Sequence, residues 1–121
     1  MIITNIVIQK KNETTIKLVV KIPTSKSQHN QGLMYIEKLD GYDGMLFDFG
    51  ENQYLNMWMK NTFIPLDILF FDSDRNLINI IENTIPCDQT SLGSRMPARY
   101  VLEVASGIVK KFGITVGDHF K

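Results

Sequence analysis

Pro65 splits the central stretch of this chain, residues 54–72, into two short runs that both carry a strand pattern. Proline has no backbone N–H to donate, so it belongs before a strand rather than inside one. Apolar side chains fall at positions 55, 57 and 59 in the first run and at 66, 68 and 70 in the second. A period of two predicts β-strands, and the break between the runs predicts an irregular bend.

The same pattern recurs along most of the chain and predicts its fold class. Two short helices are predicted: Ser25 has the spacing to Gln28 of a capping box, and Ser106 can cap a helix that Gly113 ends. Further strands are predicted over residues 2–8, 15–22, 45–49, 77–82, 99–105 and 114–120. These elements indicate an α+β fold, predominantly antiparallel β, as a small barrel or two packed sheets. A length of 121 residues fits a single domain over residues 1–121.

The composition limits the classes of partner and the compartment. Lysine plus arginine equals aspartate plus glutamate, 13 of each, so the net charge gives no reason to expect nucleic acid or an anionic membrane as partner. A single cysteine rules out an intramolecular disulfide. The start shows no signal-peptide pattern, and no apolar run approaches the roughly 20 residues of a membrane helix. We therefore expect a soluble, cytoplasmic protein, whose oligomeric state the sequence does not indicate.

Carboxylates interrupt three of the predicted strands. Asp67 shares a strand face with apolar residues, and Glu82 and Glu103 repeat the pattern. A carboxylate in such a place is paired, lines a cavity, or lies on a solvated face. Asp67 and Glu103 are accordingly candidate catalytic residues, as a general acid and base. The alternative interpretation is a structural ion pair, for which Arg99 lies on the predicted face of Glu103.

The residues before Pro65 are the candidates for ligand binding. Trp58 is either a stacking platform for a sugar or base or an ordinary core side chain. Lys60 and Asn61 follow it in the predicted bend, where an ammonium and an amide could meet a small polar or anionic ligand. The alternative is that Asn61 only satisfies backbone groups of the turn. Asp67 and Arg99 complete the candidate binding residues.

Metal and thiol chemistry find little support in the sequence. Cys87 could act as a nucleophile only beside His29 or His119 in space, and a bystander thiol is the simpler interpretation. Two distant histidines and one cysteine give no metal-ligand spacing. We expect neither a metal site nor a cofactor.

Several separated blocks resemble one known family. GLMY at residues 32–35, GMLFDF at 44–49, NMWMKNTFIPLDILFFD at 56–72, and YVLEV at 100–104 followed by spaced glycines up to Gly117 and Asp118 are similar to the domain of unknown function 192 (DUF192) family. The usual phenylalanine before the tryptophan is Met57 here. The resemblance implies a compact, mostly β domain and brings no activity with it.

The first hypothesis for function is a ligand-binding or accessory module with a pocket around Trp58, Lys60, Asn61 and Asp67. The second is a small hydrolase that uses Asp67 with Glu103 or Glu82, and Lys60 or Arg99 to hold an anion. The third is a purely structural or oligomerising domain. Whether the protein is an enzyme stays open at the level of the sequence.

Overall fold

A seven-stranded, curled sheet forms most of the computed structural model, which describes residues 1–121. The elements of the fold are β1 (Ile2–Gln9), β2 (Thr15–Ile22), α1 (Lys26–Gln31), β3 (Gly44–Gln53), β4 (Asn56–Met57), β5 (Leu66–Phe71), β6 (Leu77–Ile81), β7 (Leu92–Gly93), β8 (Ala98–Ala105), α2 (Ile108–Phe112) and β9 (His119–Phe120). The strand order of the large sheet is β6-β5-β8-β3-β2-β1-β9, and all neighbours are antiparallel except the parallel pair β2 and β3. A separate two-stranded sheet pairs β4 with β7.

The two edges of the large sheet meet at one corner. Asn76, just before β6, forms an isolated bridge with His119 of β9. The Leu77 N–H donates to the Asp118 carbonyl at 2.7 Å. The sheet is therefore a half-barrel, which confirms the predicted fold class of many short strands with two short helices. Neither helix is long and apolar enough to cross a membrane.

The half-barrel has a core on each of its faces. The inner cluster draws residues from strands all around the curl, among them Ile8, Leu18 and Phe120. The outer cluster packs Met45, Phe70 and their neighbours under the segment that follows α1 and under the turn region around β4. Because β5 lies between the two clusters, all six of its residues are buried. The predicted alternation is correct there, although neither face is exposed.

The structure confirms one predicted helix cap and corrects the other. Ser25 accepts a hydrogen bond from the Gln28 N–H at 3.1 Å and begins α1 as predicted. The second helix ends at Gly113 as predicted, but its N-cap position is Gly107 rather than Ser106. The side chain that accepts from its first N–H groups comes from β5, far away in the sequence.

Candidate functional site

Asp67 is the residue that caps α2. It lies on the inner face of β5 and is fully buried. Its Oδ2 accepts from the Gly107 and Val109 N–H groups, both at 3.0 Å, and its Oδ1 accepts from the Asn83 N–H at 3.0 Å. Three hydrogen bonds to backbone donors compensate the carboxylate for lost water. Asp67 is therefore a structural side chain, and the predicted catalytic and binding roles have no accessible group there to act through.

Glu103 lies on the other face of the same sheet. In the β5–β8 ladder, Asp67 is opposite Val104 and Ile68 is opposite Glu103. Directly opposed residues point to the same face, and successive residues alternate. Glu103 therefore points toward the outer cluster, away from Asp67. The hydrolase hypothesis that pairs these two carboxylates is wrong in its geometry, because they cannot reach one substrate.

Glu82 does not rescue that hypothesis. It lies just beyond the end of β6 and is exposed, whereas Asp67 is sealed inside the half-barrel. A shared substrate would have to contact both carboxylates at once. The sealed position of Asp67 excludes this arrangement.

The Glu103 carboxyl is buried without a partner from the chain. The residue is 5% exposed, and the chain's two ion pairs join Lys10 to Asp118 and Arg99 to Asp48 instead. Burial raises the pKa of Glu103 from 4.5 to about 7, because the charged form loses its water and nothing replaces it. Glu103 is therefore the carboxyl whose protonation state changes near neutral pH.

The carboxyl faces a small cavity, which we call the Glu103 cavity. Its volume is about 70 Å³, about half the roughly 150 Å³ of an engineered cavity that holds benzene, so it accommodates one functional group of a ligand. Its walls include His29, Gly32, Phe47, Trp58 and Thr62. These residues come from α1 with its C-terminal end, from β3 and from the segment after β4, and Glu103 comes from β8, so the site joins four separate parts of the sequence.

His29 places a second unpartnered polar atom on this cavity. Its ring packs edge-on against Phe47, with centroids 5.3 Å apart, and against Phe49 at 4.6 Å. The Nε2 atom is fully enclosed and has no hydrogen-bond partner, whereas the Glu103 oxygens, which also have none, keep a slight exposure toward the cavity. Sequence reasoning considered His29 only as a partner for Cys87. The signal that could have found it is its position three residues before the GLMY block.

Gly32 lets the end of α1 approach Phe47 closely. Its φ is 52°, in the left-handed region, and a Cβ on it would lie 3.2 Å from Phe47 Cζ. Glycine adopts this backbone conformation at little cost. The close approach brings α1, with His29 near its end, against the strand that forms the cavity wall.

Trp58 and Lys60 stand beside the cavity, as the binding hypothesis requires. Trp58 is 47% exposed, so it is not a sealed core side chain. Lys60 Nζ lies 5.2 Å from the centroid of its ring, a cation–π contact. Together they present an aromatic surface and a positive charge next to the Glu103 cavity.

Asn61 and Arg99 are occupied elsewhere. Asn61 has φ 52° and ties the bend to Tyr35, donating from Nδ2 to the tyrosine Oη at 3.0 Å. Arg99 forms a two-pronged ion pair with Asp48, at 2.9 and 3.1 Å. The hydrogen bond from Arg99 holds the pKa of Asp48 below its usual range. Arg99 lines a different cavity, so the structure does not bring it to Trp58.

Cys87 is exposed, and its Sγ is 3.8 Å from the Thr62 carbonyl oxygen. No histidine is its hydrogen-bond partner. No group of three histidine, cysteine, aspartate or glutamate side chains is placed to hold a metal ion.

Comparison with known proteins identifies the family. The family model named DUF192 and described as "Uncharacterized ACR, COG1430" matches residues 6–121. The chain belongs to the DUF192 family. No curated protein matches it. The residues that carried the resemblance to DUF192 now separate by role: Asp67 caps α2, Leu46 and Leu102 fill the inner cluster, and Gly32, Phe47, Trp58, Thr62 and Glu103 line the Glu103 cavity.

Two crystal structures are similar to this DUF192 domain. One is a protein of Sinorhizobium meliloti 1021 described as a proposed transcription regulator, with a TM-score of 0.92 and 41% identity over 97% of this chain and 91% of that one. The other is a protein of unknown function from Novosphingobium aromaticivorans DSM 12444, with a TM-score of 0.90 and 30% identity over 98% of this chain and 84% of that one. Neither description assigns an activity to this fold.

Proposed function

We propose that this DUF192 domain is a binding module for a small polar molecule, which enters the Glu103 cavity and rests against Trp58. The observation that carries the proposal is the buried Glu103 carboxyl, which has no partner within the chain and faces a cavity. Buried polar groups in native proteins are nearly always hydrogen-bonded, so an exception calls for a partner from outside. A ligand that donates a hydrogen bond to Glu103 is such a partner.

The chemistry of the walls narrows the class of ligand. The charged carboxylate of Glu103 accepts hydrogen bonds only, so the inserted group is an N–H or O–H donor, such as an ammonium, an amide or a hydroxyl. The volume of about 70 Å³ admits only that group. The rest of the ligand lies outside, against the exposed face of Trp58, where Lys60 favours a negatively charged part.

Balanced charge and short helices support a small molecule rather than nucleic acid as the ligand. The helices have six and five residues, whereas a recognition helix must reach along a groove of the duplex. The description of the S. meliloti relative as a proposed regulator concerns that protein. If this domain also serves regulation, it would do so as the part that binds a small ligand.

A thermal-shift screen tests the proposal. The purified domain is melted at pH 6 and pH 8 against amines, amides, polyols and amino acids, together with Glu103→Gln and Trp58→Ala. Two matched controls are Glu82→Gln, an exposed carboxylate elsewhere, and Tyr54→Ala, an aromatic side chain that is 69% exposed.

We expect one class of compound to raise the melting temperature of the parent and of both controls, and to lose its effect on the two cavity variants. A rise in melting temperature that persists in Glu103→Gln would contradict the proposal that the ligand binds in the Glu103 cavity. A flat response of the parent to every class would favour the structural or oligomerising hypothesis.

A further inference from the structure

A second, larger cavity opens into the inner cluster of the half-barrel, and we call it the arginine cavity. Its volume is about 400 Å³, within the roughly 300–1,000 Å³ that is usual for small-molecule sites. Its walls include Ile6, Ile22, Leu46, Tyr100, Arg75 and Arg99. It lies where β3 continues beyond its short pairing with β2, which ends at Lys21 and Met45. The hairpin β1–β2 and the pair β3–β8 diverge there.

The two arginines of this cavity differ in their partners. Arg99 is neutralised by Asp48 through two hydrogen bonds of 2.9 and 3.1 Å. Arg75 takes part in neither of the chain's ion pairs, and its guanidinium makes no hydrogen bond. It lies over the rings of Tyr100 and Phe120, 5.6 and 5.0 Å from their centroids. One guanidinium with free donors therefore borders a cavity with five hydrophobic lining residues, whose remaining walls are the polar or charged Thr4, Asn5, Asp48, Arg99 and Lys121.

The backbone around Arg75 holds it in that place. Asp72 Oδ1 accepts from the Asp74 and Asn76 N–H groups at 3.0 and 2.9 Å and so orders the turn. The Arg75 carbonyl accepts from the Phe120 N–H at 3.1 Å. Arg75 has a positive φ of 66°, which non-glycine residues seldom adopt. The backbone of Arg75 is thus ordered at the closing corner of the sheet, and its exposed side chain lies over the aromatic wall.

We propose that the arginine cavity binds a small carboxylate with an apolar body. The planar guanidinium of Arg75 donates two parallel hydrogen bonds to the carboxylate, a geometry that matches the two groups. The apolar body lies against Ile6, Ile22 and Leu46. Asp48 is hydrogen-bonded to Arg99 and interacts with Arg75 only through space, so the guanidinium donors of Arg75 are left for the ligand. This site lies apart from the Glu103 cavity, and the proposal does not depend on the function proposed for that cavity.

Isothermal titration of the domain with octanoate tests the proposal. Octanol supplies the apolar body without the charge, and acetate supplies the charge without the body. The chain offers a closely matched control variant: Arg75 and Arg95 are both exposed arginines with positive φ, 66° and 65°, and only Arg75 lines the cavity. Arg75→Gln and Arg95→Gln therefore remove the same charge from similar backbones.

We expect saturable binding of octanoate by the parent, weakening by about tenfold or more in Arg75→Gln because charge-assisted hydrogen bonds are lost, and no change in Arg95→Gln. Octanol and acetate should bind more weakly than octanoate. The proposal is overturned if the parent does not saturate, if Arg75→Gln binds like the parent, or if Arg95→Gln loses as much. If Arg75→Gln does not melt cooperatively, the titration is made with Ile22→Trp instead. The indole fills the cavity while Arg75 is kept, so this variant must lose octanoate binding.

Discussion

Two carboxyl groups on neighbouring strands of this domain have opposite environments. Asp67 on β5 is fully buried and accepts three backbone hydrogen bonds. Glu103 on β8 is also buried, yet it receives none from the chain and faces a cavity. A buried carboxylate that accepts hydrogen bonds from the chain is compensated for its lost water. A buried carboxylate without such bonds costs free energy of folding unless a ligand or water supplies the missing partner. Burial of an acid is thus no guide to function until its hydrogen bonds are counted.

The largest effect is expected at the satisfied carboxyl. Asp67→Asn keeps the shape but turns an acceptor into an NH2 group that faces backbone N–H donors. We expect a loss of about 3 kcal/mol in the free energy of unfolding, the scale for breaking a buried, charge-assisted network. Urea denaturation at pH 7 measures it, with the exposed Asp40→Asn as control. If both variants unfold within about 0.5 kcal/mol of the parent, Asp67 is not a structural side chain.

Substitution of the unpartnered Glu103 carboxyl should raise the free energy of unfolding at high pH, whereas Asp67→Asn should lower it. The folded state raises the pKa of Glu103 from 4.5 to about 7, so it binds this proton more tightly than the unfolded chain does. The favourable contribution is present below about pH 4.5 and is lost as the pH rises through 7, a change of up to about 3 kcal/mol. Glu103→Gln should therefore match the parent near pH 4 and exceed its stability at pH 8.

Urea denaturation between pH 4 and pH 8 checks this prediction, with Glu82→Gln as the exposed control. A parent curve that is parallel to that of Glu103→Gln over this range would mean that the carboxyl has a partner after all. The contrast between the two acids would then disappear.

The cavity wall gives a smaller effect. Gly32→Ala places a Cβ 3.2 Å from Phe47 at a positive φ, while Gly41→Ala also has a positive φ, 82°, with nothing within 4 Å. We expect Gly32→Ala to cost about 1–2 kcal/mol and Gly41→Ala about 1 kcal/mol. Thermal melting of both variants isolates the contact with Phe47. Equal losses would show that α1 does not need to approach Phe47 so closely.

The smallest effect on stability is expected at Trp58. Because the side chain is 47% exposed, Trp58→Ala should lower the free energy of unfolding by less than about 1 kcal/mol. It should nevertheless abolish the ligand response described above. A loss as large as that of Asp67→Asn would instead place Trp58 among the core residues.

The sequence predicted the local features of this fold well. Alternation assigned Ile68 and Asp67 to different faces, and the spacing of Ser25 and Gln28 located α1. It could not predict that both faces of β5 are buried, because that depends on the curl of the whole sheet. The cap of α2 was missed for the same reason, since Asp67 reaches it from a strand far back in the chain.

The candidate site was predicted only in part. Trp58, Lys60 and Glu103 were identified because their types are unusual for their positions, and they do lie at or beside one cavity. His29 was not identified as a site residue, since α1 is polar throughout and only its position three residues before the GLMY block marks this histidine. Arg99 was grouped with the wrong residues because its partner, Asp48, comes from another strand.

The proposed site depends on an unpartnered Glu103 carboxyl that titrates near neutral pH, and side-chain carbon NMR of Glu103 measures this titration directly. The domain is labelled at the glutamate carboxyl carbon, titrated between pH 4 and pH 9, and assigned by comparison with Glu103→Gln. We expect a midpoint for Glu103 at about pH 7. A midpoint at or below the ordinary value of 4.5 would contradict it, because the carboxylate would then be satisfied within the fold.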